Sequence, residues 1–453
     1  MVNEEIISCL GERYGTIPAD FYSKIEEWKS WWRGKNKAFH EFFEASPNGG
    51  SVKRELYRMN MAKKICEDWA SLLLNDKTSI KISDPAAEDF VRGVFRDNDF
   101  IPNANRLVEK AFATGTGAVI LRISSLCDKN GRLAASENSL FSFEFVDASH
   151  IIPLSVINGE ITEAAFVSEC RVRGEEYIYL ETHTLEKDGY RIKNDVFVRE
   201  KGELIRKNNI GCAGEIRTGC PYPFFSIISP NIQNNIDEGC GLGVSVFADA
   251  TDCLRGVDLA FNNFCRDIRL GGKKVFIDRS LVGRDEYGNI FTPDDVAQQL
   301  FVTLGDGDFS DHPMITEHNP ELRSSENAEA VQCQLNYLSF RCGLGTHHYE
   351  FASIDGRAKM TAAQYMGERQ DMRQNAVKHQ KNIAKFIRGA VRSLIWCGKN
   401  YFSVALDGEC KINVFFDDSY FTDTESNRAR DLLEVQSGIM SADEYRNKWF
   451  DSL

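Results

Sequence analysis

Residues 243–270 read GVSVFADATDCLRGVDLAFNNFCRDIRL. Within them Val246, Ala250, Cys253, Val257, Phe261, Phe264 and Ile268 recur at steps of three and four, the period of one helix face. Asp249, Asp252, Arg255, Asp258, Asn262 and Arg266 fill the remaining faces, so one narrow stripe packs and the rest meets water or polar neighbours. A helix unbroken over 243–269 would be ~40 Å long. Gly271-Gly272 ends it. A second helical stretch, about 323–342, returns, and between the two lies a compact insert, 271–322, with four basic and ten acidic residues and a net charge of −6. Two helices flanking an acidic insert make a hairpin-like projection with a small domain at its tip.

Upstream, the chain to about Asn75 reads as helical. Trp28, Trp31 and Trp32 lie on or beside one helical face, and Ile65, Trp69, Leu72 and Leu73 recur at helical spacing, as core anchors do. Residues 101–122 suggest a helix that breaks at Gly115-Thr116-Gly117 into a strand, 118–122. From there to about 230 short β-rich runs follow one another: 141–146, 164–167, 177–180 and 195–198. Asn130-Gly131 and Asn158-Gly159 are hairpin turns by composition. Downstream, GLGTHHYEFASIDGRA (343–358) cannot continue the returning helix. A very long helical segment then runs from about 359 to Cys397, ~55 Å if unbroken. A strand pair, 401–406 and 411–416 across Asp407-Gly408, and an acidic helical tail complete the chain.

With 453 residues the chain has room for about three domains of ~150 residues. Its 54 basic and 67 acidic residues leave a net charge of −13, which excludes coating nucleic acid through bulk charge. No apolar run approaches the ~20 residues of a membrane helix, and the N-terminus has neither the basic nor the apolar region of a secretory signal. The thirteen cysteines are spaced at least eight positions apart, so no CxxC and no zinc-type spacing occurs; reduced, mostly buried thiols of a cytosol-made protein are expected.

Enzyme signatures are absent: there is no GxxxxGK[ST], GxSxG, HExxH or EF-hand loop. Gly239-Cys-Gly241-Leu-Gly243 superficially resembles a dinucleotide turn, but its spacing is GxGxG, and a glycine-rich lead into a long helix is the better reading. His347-His348 with Glu350 lacks further ligands for a metal. Neither metal nor cofactor is expected.

The one concentrated feature is basic. From Arg357 to Lys399 ten basic residues face only Glu368 and Asp371, a net of +8. Lys378, Lys381, Lys385, Arg388 and Arg392 fall at steps of three, four, three and four and form one helix face. Ile383, Ile387, Val391, Leu394 and Ile395 share another, which packs. The basic face is solvated, or paired with acids elsewhere in the assembly, or a site facing a polyanion.

Together these stretches resemble the portal proteins of tailed bacteriophages, of the siphophage type. The resemblance rests on Arg58-Met-Asn-Met-Ala-Lys-Lys-Ile65 with Glu67-Asp68-Trp69-Ala70-Ser71-Leu72-Leu73. It rests also on Asn234-Asn235, the turn ending at Gly243, Ser245, and Asp258-Leu-Ala-Phe261 running to Arg269-Leu270 and Lys273-Lys274. Further support comes from Gly343-Leu-Gly345, Lys359-Met-Thr361-Ala362, Lys378-His379-Gln380, Phe415-Phe-Asp417-Asp418 and Ser437-Gly438-Ile439.

The resemblance implies an α+β, mainly helical portal fold and a homo-oligomeric ring, generally of twelve subunits, at one capsid vertex of the virion. It implies an N-terminal wing over 1–242, stem helices over 243–270 and 323–343, a clip over 271–322 and a tunnel loop over 344–358. The inner wing helix would span 359–400, and a short crown 401–453. Such a ring passes double-stranded DNA, docks the terminase large subunit and a head-completion connector, and meets the major capsid or scaffold protein; no membrane is involved.

On this reading the tunnel loop would present His347, His348, Tyr349, Glu350 and Phe351 to the channel, with Arg357 and Lys359 just beyond. The clip would offer Asp294, Asp295, Asp306 and Asp308 to its partners. The competing classes are another capsid or connector component and, less in keeping with the residues, a nucleotide-binding enzyme at Gly239–Gly243.

Overall fold

The structure is a computed structural model. It describes residues 4–446 except for 15–18, 46–49, 130–131, 173–174, 201–202, 208–213, 279–282, 285–289, 292–299, 304–314, 352–361, 418–423, 438 and 442–443. The chain opens with α1 (Glu4–Tyr14), α2 (Phe21–Trp32) and α3 (Lys37–His40), then the strands β1 (Glu41–Ala45) and β2 (Ser51–Glu55). Next come α4 (Met61–Leu73), β3 (Ser79–Ile82), α5 (Pro85–Asp97), α6 (Phe100–Thr114) and β4 (Gly117–Ile123). A β-rich stretch follows: β5 (Cys127–Lys129), β6 (Arg132–Ala134), β7 (Phe141–Asp147), β8 (Ile151–Ile157), β9 (Glu160–Val172) and β10 (Glu175–Glu186). It continues through β11 (Gly189–Glu200), β12 (Glu203–Lys207), β13 (Glu215–Arg217) and β14 (Phe225–Ile228). Helices α7 (Thr251–Leu270) and α8 (Ser324–Arg341) bracket β15 (Lys274–Asp278), β16 (Gly283–Arg284), β17 (Ile290–Phe291), β18 (Leu300–Thr303) and β19 (Ile315–His318). The chain ends with α9 (Ala362–Asn400), β20 (Ile412–Phe415) and α10 (Thr424–Gln436).

Helix outweighs strand, 44% to 28%, in a mixed α and β protein. The sequence breaks at the expected places for local reasons. Helix α6 ends on Gly115 with φ +87°, a conformation side chains resist, and β4 begins two residues later. Asn158 and Gly159 both take positive φ and join β8 to β9 as a two-residue hairpin. Strands β8 to β12 form an antiparallel sheet in the order β12-β11-β10-β9-β8, with β13 on β11, and β14-β4-β7 form a second sheet. The two are tied by Arg122 of β4, which pairs with Glu144 of β7 and with the buried Glu181 of β10. Burial raises the Glu181 carboxyl, but His183 and Arg122 outweigh it and bring it down to about 2.

The core runs between α4, α6, α9 and the β14-β4-β7 sheet. Trp69, Phe100, Phe112 and Phe386 are fully buried there. Trp28 and Trp31 of α2 are buried, whereas Trp32 is half-buried and donates its indole N–H to Glu109 at 3.0 Å. The glycine-rich run before α7 is a packing joint. A Cβ on Gly115 would stand 2.2 Å from the Gly243 carbonyl oxygen, and Gly243 N–H donates to Thr116 Oγ1 at 2.8 Å. No strand–turn–helix unit forms there: β14 ends at Ile228 and α7 begins at Thr251.

Three sequence expectations are corrected. First, α7 starts at Thr251 rather than 243, because the Val246 N–H and the Ser245 hydroxyl donate to the Phe112 carbonyl of α6, at 2.9 and 3.1 Å. Its stripe is buried at Val257, half-buried at Phe261 and Phe264, and open at Ile268. Second, 401–406 and 411–416 do not pair. β20 instead pairs antiparallel with β3, Ile412 opposite Ile82. Ser403, at φ +56°, and the Val404 N–H bond to the Gly398 carbonyl hold 401–406 as a turn that follows α9. Third, the N-terminal region is interrupted by the β1–β2 hairpin, whose register sets Phe42 opposite Arg54 and Phe43 opposite Lys53.

Helices α7 and α8 run antiparallel: Arg323 pairs with Asp267 at 2.9 Å near one end, and Arg341 donates to the Asp249 carbonyl at 3.0 Å near the other. In the excursion between them, β15 lies between β18, parallel to it, and β19, antiparallel to it.

Candidate functional site

Two of the three groups of candidate residues are described in whole or part. In the first group, the connection after α8 turns on Gly343 and Gly345, at φ +80° and +85°. The segment 342–351 is stitched to four helices. From α4, Trp69 donates its indole N–H to the Cys342 carbonyl at 3.1 Å, and Asp68 accepts the Tyr349 hydroxyl at 2.9 Å. From α9, Asn375 donates to the Gly343 carbonyl at 3.1 Å. From α8, the buried Gln332 donates to the Tyr349 carbonyl at 2.7 Å and accepts the Phe351 N–H at 2.8 Å. From α7, Phe261 and Phe264 set their rings edge-on to Phe351 at 6.1 and 5.4 Å.

Tyr349 and Phe351 are half-buried and turned into the protein, His348 lies 3.5 Å from Asp68, and only His347 and Glu350 are exposed. Burial raises the Asp68 carboxyl, but bonds from His348, Lys64 and Tyr349 outweigh it and hold it below the ordinary carboxylate value. Burial, with Asp68 beside it, pushes the Tyr349 phenol far up, so it stays a donor. Arg357 and Lys359 lie outside the described residues.

The second group is assembled as the helical period requires. Lys378, Lys381, Lys385, Arg388 and Arg392 are all exposed along one face of α9, while Ile383, Ile387, Val391, Leu394 and Ile395 are buried on the other. α9 is held by the sheet side: Ser226 of β14 donates to the Phe386 carbonyl at 2.8 Å, and Asn382 donates to the Ser229 carbonyl at 3.1 Å. Lys385 pairs with Glu160, which follows the β8–β9 turn. The spacing sets five like charges in a row, whose mutual repulsion, ~0.2–0.5 kcal/mol per i,i+4 pair, nearby anions would relieve. Between this face and the core sits His379, whose Nδ1 accepts the Asn231 N–H at 3.0 Å. Burial first, then Lys378, brings its pKa down to about 4, so it is neutral at physiological pH.

The third group, Asp294, Asp295, Asp306 and Asp308, lies outside the described residues. Sequence reasoning missed the roles of Asp68 and Gln332, two of the anchors of segment 342–351. The signal was faint: Lys64 and Asp68 sit one helical turn apart, and Gln332 is a polar residue amid a buried stripe.

A family model described as phage portal protein, SPP1 Gp6-like, matches residues 14–215, a little under half of the chain. Over those residues the chain is similar to phage portal proteins. No curated protein matches it. The portal match spans α2 to α6 and the strands β1 to β12, and it ends before the helix pair and the basic face. The phage portal family is structural rather than enzymatic, and the match supports a phage portal role in that general sense. Among the described residues no helix is long and apolar enough to cross a membrane.

Proposed function

We propose that the protein forms the ring at one vertex of a phage capsid, through which double-stranded DNA enters during packaging and leaves during ejection. The observation that carries this reading is the portal-family match over 14–215, joined to a helix pair that brackets an acidic excursion built on a small sheet. In such a ring, α7 and α8 line or surround the channel as the stem. Residues 271–322 form the clip that meets the terminase large subunit and then the head-completion connector, with Asp294, Asp295, Asp306 and Asp308 contributing to an acidic rim that steers basic partners. The major capsid or scaffold protein meets the outer wing.

The acidic balance suits a conduit. Each phosphate gripped by a lysine or arginine releases counterions and adds to binding, so a wall of cations would stall the DNA. The basic row of α9 then belongs beside anions of a neighbouring subunit or of the packaged DNA rather than along the narrowest bore. The tunnel loop, 344–358, with His347 to Phe351 and with Arg357 and Lys359 near its end, is the portion assigned to touch moving DNA. Gold-conjugated antibody against the chain, applied to intact particles, should mark a single vertex of each capsid. Label spread over all faces, or found only on tails, would contradict the proposal.

A further inference from the structure

Every residue of the β1–β2 hairpin from Phe42 to Ala45 and from Ser51 to Glu55 is exposed. A two-stranded hairpin standing alone is at best marginally stable in water. Its root is nonetheless rigid. The buried His40 donates from Nε2 to Asp258 Oδ2 of α7 at 2.9 Å, and Asp258 Oδ1 accepts the Met59 N–H at 2.9 Å. Asn262 of α7 accepts the Tyr57 N–H at 3.2 Å, and Arg58 donates to the Gly34 carbonyl at 2.9 Å. The arm therefore leaves α7 in a set direction.

The charges on the arm close on themselves. Lys35 bridges Glu41 and Glu55 at 2.9 and 2.8 Å, Lys53 pairs with Glu41 at 2.6 Å, and Arg54 pairs with Glu44 at 3.0 Å. Three acids of the arm meet two of its own bases and Lys35 at its root, so the arm together with Lys35 carries no net charge on a chain of −13. Beside these paired charges the arm exposes apolar side chains, Phe42 and Val52 on one face and Phe43, 73% exposed, on the other.

We propose that β1–β2 is an arm that docks on a second copy of this chain, against the uncharged stripe Cys333, Tyr337 and Phe340 of α8. These three lie four and three residues apart on one helix face, opposite the buried Val331, Leu335 and Leu338 that pack inward. Tyr337 and Phe340 are 56% and 59% exposed, so the chain's own arm does not cover them. Two copies that each carry −13 repel, and the contact between them costs least through patches with no net charge. Arm and stripe are both such patches, and aromatic side chains are the favoured currency of protein contacts. The arm offers no unpaired cation to a polyanion. Because arm and stripe are different surfaces, the contact is head-to-tail and repeats from copy to copy until a ring closes. The inference thus rests on the ring reading above.

Native Cys333 makes the test direct. The full chain carrying Phe43→Cys, assembled and then oxidised with diamide, should give a ladder of covalent oligomers on a non-reducing gel. Peptide mass analysis should find the 43–333 disulfide, and adding Cys333→Ser should abolish the ladder. Phe42→Ser with Phe43→Ser should raise the concentration needed for assembly by about tenfold or more, with thermal unfolding of the chain unchanged. Assembled oligomers without the 43–333 linkage, or assembly indifferent to the double serine variant, would overturn the arm contact and leave the ring standing. Absence of oligomers in the unmodified chain would overturn the ring reading itself.

Discussion

At His379 the protein has buried an imidazole in its neutral form, with Nδ1 bare to accept the Asn231 N–H and the ring edge-on to Trp69 and Phe112 at 5.0 Å each. Its pKa falls from 6.5 to about 4 on folding. Between those values the unfolded chain binds the proton and the folded chain does not. The stability this group contributes is therefore complete above pH 6.5 and is lost progressively as pH falls to about 4. Each unit of that shift is worth ~1.4 kcal/mol. Thermal unfolding followed from pH 7.5 to 4 should show a steeper fall for the native chain than for His379→Gln, and equal slopes would contradict the buried neutral assignment. The same scale shows what the sequence hides. Tyr349 and Phe351 read as free aromatics in a loop, yet Tyr349 bonds to Asp68, 281 positions earlier. No local pattern announces such a partner.

At the scale of elements, two glycines separate a joint from a tolerance. A Cβ on Gly115 would meet the Gly243 backbone oxygen at 2.2 Å, and its φ of +87° is unfavourable to any side chain. A Cβ on Gly256 of α7 would meet only the tip of Gln334, a flexible side chain, at 2.5 Å. Gly115→Ala should cost more than ~3 kcal/mol in denaturant unfolding, a value reached when strain and clash combine. Gly256→Ala should lie within about 1 kcal/mol of the native chain, since alanine gains up to ~1 kcal/mol of helix propensity and offsets the shifted glutamine. Equal effects would contradict the packing of α6 against the lead into α7. Elements whose limits are set by their own residues were legible: Gly115-Thr116-Gly117 and Asn158-Gly159 demand their turns. The β1–β2 hairpin was missed although Asn48-Gly49 stands between its strands, because the surrounding residues read as helical. The pairing of β20 with β3 is non-local, and local periodicity carries nothing about it. The basic face of α9 was legible because it needs only the helical period.

At the scale of the whole molecule, an acidic chain sets five cations in a row on one face of one long helix, and leaves Phe42 and Phe43 uncovered on an arm and Tyr337 and Phe340 uncovered on a helix stripe. This distribution fits a subunit whose partners are copies of itself, and whose contact with DNA is passage rather than capture. The central claim is the closed ring. Negative-stain electron microscopy of the purified full-length protein, over a range of concentrations and with scaffold or capsid protein added, tests it most directly. The account predicts closed rings of about twelve subunits with a central channel wide enough for a DNA duplex, of ~20 Å or more, as a closed cyclic assembly requires. Only monomers and dimers under all of these conditions, or open filaments without a channel, would contradict it.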